Sequence, residues 1–319
     1  MRLLICTQAV DVNDPNLGFF HRWLEEFAKH SPRIIVICLR KGEHTLPSHV
    51  EVIALGERHK ILRAFEMCSI AFGRRREYDA VFVHMNPEYI VAAGWLWRLL
   101  GKKIVLWYTH KSVNLLLKIA TVFVNTIVTA TKESFRIPTS KVKVVGHGID
   151  TDFFTPDKTV PRGTHILSAG RLTESKNHAL IIRAVKKADR ALRIAGEGPE
   201  RASLERVAHE EGTEVTFLGG LSQSELRDEY RRAAHFVHTS TTGSMDKVVL
   251  EAAACDCNVI TTVDWLHNYF PVQSVAATPE AIAEAICGAK ESVDRVSIIK
   301  DQHSLIPLVK KIVWTLENK

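Results

Sequence analysis

No C-x-x-C pair occurs in this chain, although it holds six cysteines: Cys6, Cys38, Cys68, Cys255, Cys257 and Cys287. They are scattered, mostly within apolar runs, and Cys255-x-Cys257 is too tight for ordinary zinc spacing. Metal or redox chemistry through cysteine is not indicated, and a reducing compartment is the default. G-x-G-x-x-G is also absent, so a dinucleotide site would lack its fingerprint. No recognised nucleic-acid module is present, which argues against nucleic acid as a partner. The longest apolar region, Val113 to Ala130, is interrupted by Asn114, Lys118 and Asn125. It reads as a helix followed by a buried strand rather than a membrane span. Met1 to Val10 holds one Arg and a short apolar run, with Asp11, Asn13, Asp14 and Pro15 directly after, so a first strand is expected there rather than a signal peptide.

What is present fits a soluble two-domain protein. The length of 319 residues exceeds what one hydrophobic core usually organises. Apolar content of 46% and charged content of 24% are ordinary for a globular chain. The charge is uneven: residues 1–160 hold 22 Lys and Arg against 15 Asp and Glu, so the net +6 sits in the first half. Arg74-Arg75-Arg76, Lys102-Lys103 and Arg58/Lys60/Arg63 contribute most visibly. A solvated surface is the plain reading, and a basic face for an anionic membrane or acceptor is the sharper one.

Strands and helices alternate along the chain. Leu3–Val10, Ile34–Leu39, Val50–Leu55, Ala80–Met85, Lys103–His110, Thr126–Thr131 and Val142–Ile149 read as strands, with helices from Gly18 and over 61–72 and 88–100 between them. Such alternation predicts a doubly wound parallel sheet. Gly146, Gly148 and Pro156, followed by a polar stretch to Gly163, mark a linker. We expect a first Rossmann-like domain over 1–158 and a second over 159–302, with a C-terminal helix, about 303–319, returning to the first. The second half repeats the pattern: strands at 164–169, 192–195, 215–218 and 235–239, and a capping-box signature at Ser222-x-x-Glu225.

The stretch 240–262 organises the rest. A buried strand enters a loop with Gly243, Ser244 and Asp246, a helix of good formers runs from Lys247 to Cys255, and Val259–Thr262 returns as a strand. A loop of this kind lies at the carboxyl edge of a parallel sheet, where helix N-terminal N–H groups attract anions. Glu251, just inside the helix, suits sugar hydroxyls but would repel phosphate. A helix-dipole role for Glu251 is the plainer alternative. Arg171 and Lys176 flank the loop after strand 164–169. An Arg fork and a Lys point charge together can clamp a diphosphate; two solvated cations are the plainer reading. Gly18, after the first strand, permits close approach of backbone N–H groups to a phosphate. His110 stands at a strand's carboxyl end, with His84 similarly placed on another strand.

With these residues assembled, the chain resembles glycosyltransferases of the GT-B architecture, and most nearly the retaining glycosyltransferase family 4 (glycosyl transferases group 1). Four segments carry the resemblance: Gly-His-Gly-Ile-Asp-Thr-Asp-Phe-Phe-Thr-Pro (146–156), Ser-Ala-Gly-Arg-Leu-Thr-Glu-Ser-Lys-Asn (168–177), Ile-Ala-Gly-Glu-Gly-Pro-Glu (194–200) and Lys-Val-Val-Leu-Glu-Ala-Ala-Ala-Cys (247–255). The resemblance implies two Rossmann-like domains facing across a cleft. It implies that Arg171 and Lys176 bind the donor diphosphate, that Glu251 binds the nucleotide ribose, and that the Gly18 loop faces the diphosphate from the first domain. By the same resemblance His110 lies near the transferred sugar, Glu197 and Gly198 near the nucleotide, and Phe217 and Leu218 at the base. Gly243, Ser244, Met245, Asp246 and Val248 complete the donor set, and His110, Arg171 and Lys176 the catalytic one.

One departure stands out. The family carries two glutamates separated by seven residues; here Glu251 is the second and Gly243 occupies the place of the first. Asp246, three residues along, is a candidate substitute. The resemblance implies transfer with retention from a nucleotide sugar, with a UDP-sugar favoured by family frequency, and no metal or other cofactor; Asp150-Thr151-Asp152 falls in the hinge and reads as turn chemistry. A glycan, lipid-linked or other cell-envelope acceptor is expected. The location is expected to be cytoplasmic, peripheral on the membrane through the basic first half with Trp95, Trp97 and Trp107. A non-catalytic donor-binding scaffold and a sugar-nucleotide epimerase are the alternatives.

Overall fold

The computed structural model describes residues 1–14, 16–243, 245–288 and 293–318. It divides into two compact units: Met1–Gly148 with Ser304–Lys319, and Ile149–His303.

The first unit runs β1 (Leu3–Val10), α1 (Gly18–Ala28), β2 (Ile34–Lys41), β3 (Val50–Ala54), α2 (Lys60–Gly73), β4 (Ala80–His84), α3 (Pro87–Leu99), β5 (Lys103–Trp107), α4 (Leu115–Phe123), β6 (Thr126–Thr129) and β7 (Val142–Val144). Its seven strands lie in the order β3-β2-β1-β4-β5-β6-β7, all parallel. Period-two side-chain direction, with both faces covered, explains why most strand positions are apolar. On β1, Leu3 and Ile5 enter one core with Trp23 and Phe27, while Leu4 and Cys6 enter the opposite core with Ile90 and Trp97.

The second unit runs β8 (Ile166–Ala169), α5 (His178–Lys187), β9 (Leu192–Ala195), α6 (Arg201–Glu211), β10 (Val215–Gly219), α7 (Gln223–Arg232), β11 (His235–His238), α8 (Lys247–Ala254), β12 (Asn258–Thr261), β13 (Gln273–Ser274), α9 (Pro279–Cys287) and α10 (Arg295–His303). Its six strands lie in the order β10-β9-β8-β11-β12-β13. Phe236 and Val237 of β11 again feed opposite cores. The capping box at Ser222 and Glu225 forms as its sequence predicts. The last helix, α11 (Leu305–Glu317), belongs to the first unit, where Leu308, Val309 and Ile312 are buried.

Three differences from the sequence reading have physical causes. The first boundary lies at Gly148–Ile149, ahead of 158/159, because Ile149 and Phe154 are buried in the core of the second unit. The strand read as Val142–Ile149 ends at Val144, since Gly146 and Gly148 adopt φ of 93° and 73° and turn the chain. Trp97 and Trp107 are core residues at 0% and 2% exposure and offer nothing to a membrane; Trp95, at 47%, remains on the surface. Among the described residues, no helix is long and apolar enough to cross a membrane.

Candidate functional site

In each sheet the strand order reverses once, and ligands of open parallel sheets bind at that switch point, beyond the strands' carboxyl ends. In the second unit the reversal falls between β8 and β11. The loop after β8 brings Arg171 and Lys176; the loop after β11 brings Gly243 to Asp246, with Glu251 on α8 behind it. The sequence fixes this loop pair locally. Gly170 leaves β8 with φ of 149°, and Asn177 takes the left-handed conformation at φ 51° between a short 3-10 turn (Glu174–Lys176) and α5. The Thr239 hydroxyl donates to the carbonyls of Lys176 and Asn177, both at 3.0 Å, and the Thr241 N–H donates to the Ser175 carbonyl at 2.9 Å. The two loops are thereby joined.

Lys176 Nζ pairs with the Asp246 carboxylate, and His238 Nε2 lies 2.8 Å from the same oxygen. His238 Nδ1 reaches Thr261 Oγ1 at 3.1 Å. Burial opposes ionisation of Asp246, but hydrogen bonding and charge from His238, then Lys176, outweigh it and hold the carboxyl below the usual carboxylate range. Asp246 occupies the N-cap of α8 yet makes no side-chain cap bond, because its carboxylate is turned to these partners. Arg171 is exposed.

Glu251 is buried, at 6% exposure, and accepts a hydrogen bond from the Tyr230 hydroxyl at 3.4 Å. Burial raises its carboxyl pKa, against the neighbouring Lys247. Burial likewise lowers Lys247, against Glu251 and Asp150. His178, the first residue of α5, is buried beneath the Arg171 loop with Nδ1 at 3.2 Å from Ser168 Oγ. Burial pushes its pKa down to about 4.

The loop after β9 packs backbone to backbone on the Arg171 loop. A Cβ on Gly196 would stand 1.9 Å from the Gly170 carbonyl oxygen, and one on Gly198 would stand 2.3 Å from that of Leu172. The Leu172 N–H donates to the Glu197 carbonyl at 2.9 Å, while the Glu197 side chain is exposed. Phe217 and Leu218 end β10 half-buried, with the Arg201 guanidinium 4.5 Å above the Phe217 ring. Gly243 takes φ of 60°, and its carbonyl accepts from Trp265 Nε1 at 3.0 Å. Met245 is buried and Val248 half-buried. Ser244 lies outside the described residues.

The first unit reverses between β1 and β4. Gly18 opens α1 there and is buried; a Cβ on it would stand 2.8 Å from the Val12 carbonyl oxygen. His84 is enclosed, its ring stacked on Phe20 at 4.1 Å, so its role is packing. Met85, next in sequence, has φ of 65°. His110 is exposed beyond β5, where its Nδ1 accepts from the Ser112 N–H at 3.1 Å and lies 2.6 Å from Ser112 Oγ. That arrangement leaves the proton of the neutral ring on Nε2. Within the second unit, then, Arg171, Lys176, Asp246 and Glu251 gather at one sheet edge, with Glu197, Gly198, Phe217 and Leu218 on the adjacent strands; Gly18 and His110 stand at the corresponding edge of the first. Sequence reading missed His238, Asn177, Thr239 and Lys247. His238 at the end of the strand His-Phe-Val-His, one residue before Thr239, was the available signal. Among the described residues, no group of three or more His, Cys, Asp or Glu is arranged to hold a metal.

Comparison with known proteins bears on the family and the fold. Residues 153–265 match the family of glycosyl transferases group 1. Over 167 residues the chain is 28% identical to D-inositol 3-phosphate glycosyltransferase of Mycolicibacterium smegmatis, covering 47% of this chain and 36% of that protein. Over 136 residues it is 29% identical to N-acetylgalactosamine-N,N'-diacetylbacillosaminyl-diphospho-undecaprenol 4-alpha-N-acetylgalactosaminyltransferase of Campylobacter jejuni, covering 41% and 37%. The matched stretches thus span just over a third of these curated relatives. Anabaena Alr3699/HepE, solved with UDP and glucose, superposes with a TM-score of 0.79 at 14% identity over 99% of both chains. Sucrose-phosphate synthase of Thermosynechococcus elongatus gives 0.79 at 13% identity, over 99% of this chain and 98% of that one. Both share the fold: two Rossmann-like parallel-sheet units, as in GT-B glycosyltransferases.

Proposed function

Since residues 153–265 match the family of glycosyl transferases group 1, we propose that the chain is a retaining glycosyltransferase that moves a sugar from a nucleotide-diphosphate donor, a UDP-sugar before others. The observation that carries this reading is that the loop bearing Arg171 and Lys176 is joined, at the β8/β11 switch point, to the loop that leads into the Glu251 helix. Departure of the nucleoside diphosphate leaves an oxocarbenium-like sugar and builds negative charge on phosphate. Arg171, Lys176 and the N-terminal amides of α8 stabilise that charge as it forms, so the reading asks for no metal. The acceptor approaches the face that the phosphate leaves, and the phosphate takes its proton. Glu251 holds ribose hydroxyls, and Glu197, Gly198, Phe217 and Leu218 bound the base. Gly243, Met245, Asp246 and Val248 bring backbone amides to the sugar. The acceptor is a glycan or lipid-linked glycan, presented to the basic first unit at an anionic membrane surface on the cytoplasmic side.

A second reading, a donor-binding scaffold without turnover, is favoured by Gly243 in the place of a glutamate and by the partnering of Lys176 with Asp246. Thermal shifts with UDP, GDP, ADP and their sugar conjugates test both. A ligand that binds only the folded state raises the melting temperature. A shift with one nucleotide and release of that nucleotide in the presence of acceptor support transfer; a shift without release supports the scaffold. No shift at millimolar ligand overturns both.

A further inference from the structure

The amino edge of the first sheet, opposite the loops described above, carries a separate feature. Where β5, β6 and β7 begin, a groove of about 710 Å³ is lined by Arg98, Lys102, Lys103, Lys141 and Lys143 and, among the described residues, by no carboxylate. The cations are held in place by neutral groups. Lys102 Nζ donates to the Tyr78 carbonyl at 2.5 Å, Lys141 Nζ to the Thr121 and Val122 carbonyls at 2.7 and 3.3 Å, and Lys103 Nζ to the Asn318 carbonyl. Lys143 Nζ stands 5.4 Å from the Trp314 ring centroid. Asp79, the carboxylate that acts on Lys102, is already in a two-pronged pair with Arg2. Partial burial lowers the pKa of Lys103 and of Lys141, and the neighbouring cations Lys143 and Arg98 lower them further. A groove whose described lining carries positioned cations in excess is complementary to anions.

Its rim is apolar. Leu99 is 77% exposed beside Arg98, Val122 72% exposed above Lys141, and Trp314 59% exposed above Lys143. A second hollow, of about 660 Å³, shares Lys143 with the groove and adds Lys310 and Lys311 beside Trp314. A free phosphate makes no use of exposed Leu, Val and Trp, and a nucleic acid, whose bases stack on aromatic rings, makes use of Trp alone among them. The interface of an anionic bilayer uses both parts: ammonium and guanidinium groups meet lipid phosphates while aliphatic and indole groups enter the headgroup layer.

We propose that this amino-edge groove is the surface by which the first unit docks on membranes bearing anionic phospholipids. The proposal rests on the reading of a membrane-presented acceptor and names the face responsible. The five residues of β5 place the loops at the carboxyl edge about 17 Å from the docked edge. A lipid-linked acceptor that reaches those loops therefore extends several sugar units from its lipid.

Co-sedimentation of the full chain with phosphatidylcholine vesicles, with and without phosphatidylglycerol, tests this. The wild type is expected on the anionic vesicles only, released by salt. The double variant Arg98→Gln/Lys143→Gln removes two charges that hold no backbone carbonyl, and its partition constant is expected to fall about tenfold or more. Leu99→Ser is expected to weaken binding without changing its salt dependence, and unchanged melting temperatures establish that both variants are folded. If the wild type binds neither vesicle, the membrane reading and the groove both fall. If it binds the anionic vesicles and the double variant binds equally, the groove alone falls. If an oligonucleotide at equal phosphate concentration binds as tightly and Leu99→Ser binds vesicles like the wild type, the lipid assignment is overturned in favour of a nucleic acid.

Discussion

Lys176 and Asp246, 70 positions apart in sequence, form an ion pair at the edge of the second sheet, and His238 shares the same carboxylate oxygen. One of the two cations assigned to a donor diphosphate therefore has an internal counter-ion, while the other, Arg171, extends into solvent. A bound diphosphate must share Lys176 with Asp246.

The two cations should consequently respond differently to removal. Arg171→Ala is expected to leave the melting temperature unchanged and to lower donor turnover by about 10²-fold, the scale on which lost transition-state donors act. Lys176→Ala is expected to lower both turnover and melting temperature, because it leaves the largely buried Asp246 carboxylate with His238 alone. Steady-state donor kinetics beside thermal melts separate the cases; equal melting losses would show that the pair carries no structural load.

Glu251→Ala should remove the nucleotide-induced thermal shift. It should also cost stability, about 1–3 kcal/mol, since Lys247 would lose a carboxylate neighbour in a part-buried site. Glu251→Gln, which keeps the shape and the Tyr230 contact, should lose the ligand effect with a smaller stability cost. Denaturant unfolding of both variants, with and without nucleotide, measures the two effects separately.

His178 sets a pH dependence. Its folded pKa of about 4 lies below the unfolded value of about 6.5. The unfolded chain therefore binds the proton more readily, and this contribution to stability is whole above pH 6.5 and is lost as the pH falls from there through 4. Replacement by Gln removes the titrating group. The difference in melting temperature between wild type and His178→Gln should thus shift steadily in favour of the variant over that interval; a constant difference would show that the ring does not titrate with unfolding.

Gly196→Ala should be among the most damaging single changes in the second unit. The new Cβ meets the Gly170 carbonyl oxygen at 1.9 Å with φ at 141°, so backbone must move, at an expected cost of at least about 2 kcal/mol. Melting of this variant against Gly220→Ala, where a Cβ meets only the Glu197 side chain at 3.8 Å, checks the contrast.

Much of the fold was legible because the sheets are parallel and buried on both faces. Runs such as Leu3–Cys6 and Ile34–Leu39 are continuously apolar, and glycines and polar loops punctuate the strands. The positions of Arg171, Lys176 and Glu251 were legible for a related reason: short loops after buried strands have one place to go, the carboxyl edge. What the sequence concealed were choices between partners. Asp246 reads as a loop carboxylate that substitutes for the missing glutamate at the sugar, and only the approach of β8 to β11 gives it to Lys176 and His238. Trp97 and Trp107 lie in a basic half yet face inward, because α3 and β5 are sandwiched between neighbours. The segment from Asp264 to His303 gave no strong pattern; β13 is two residues long and α10 has apolar residues on no clear face.

The place of α11 in the first core bears on how the chain is made. Leu305, Leu308, Val309 and Ile312 complete the layer that covers β4 and β5, with Trp23 and Phe27 of α1 beside them. A ribosome delivers those residues only after all of 149–303 has emerged. The second unit is continuous in sequence and can close as soon as it is free of the exit tunnel, whereas the first waits, partly uncovered, for α11. The half whose synthesis starts earlier is thus the half finished later, and until α11 clears the tunnel one apolar layer of the nascent chain stays open to water and to chaperones.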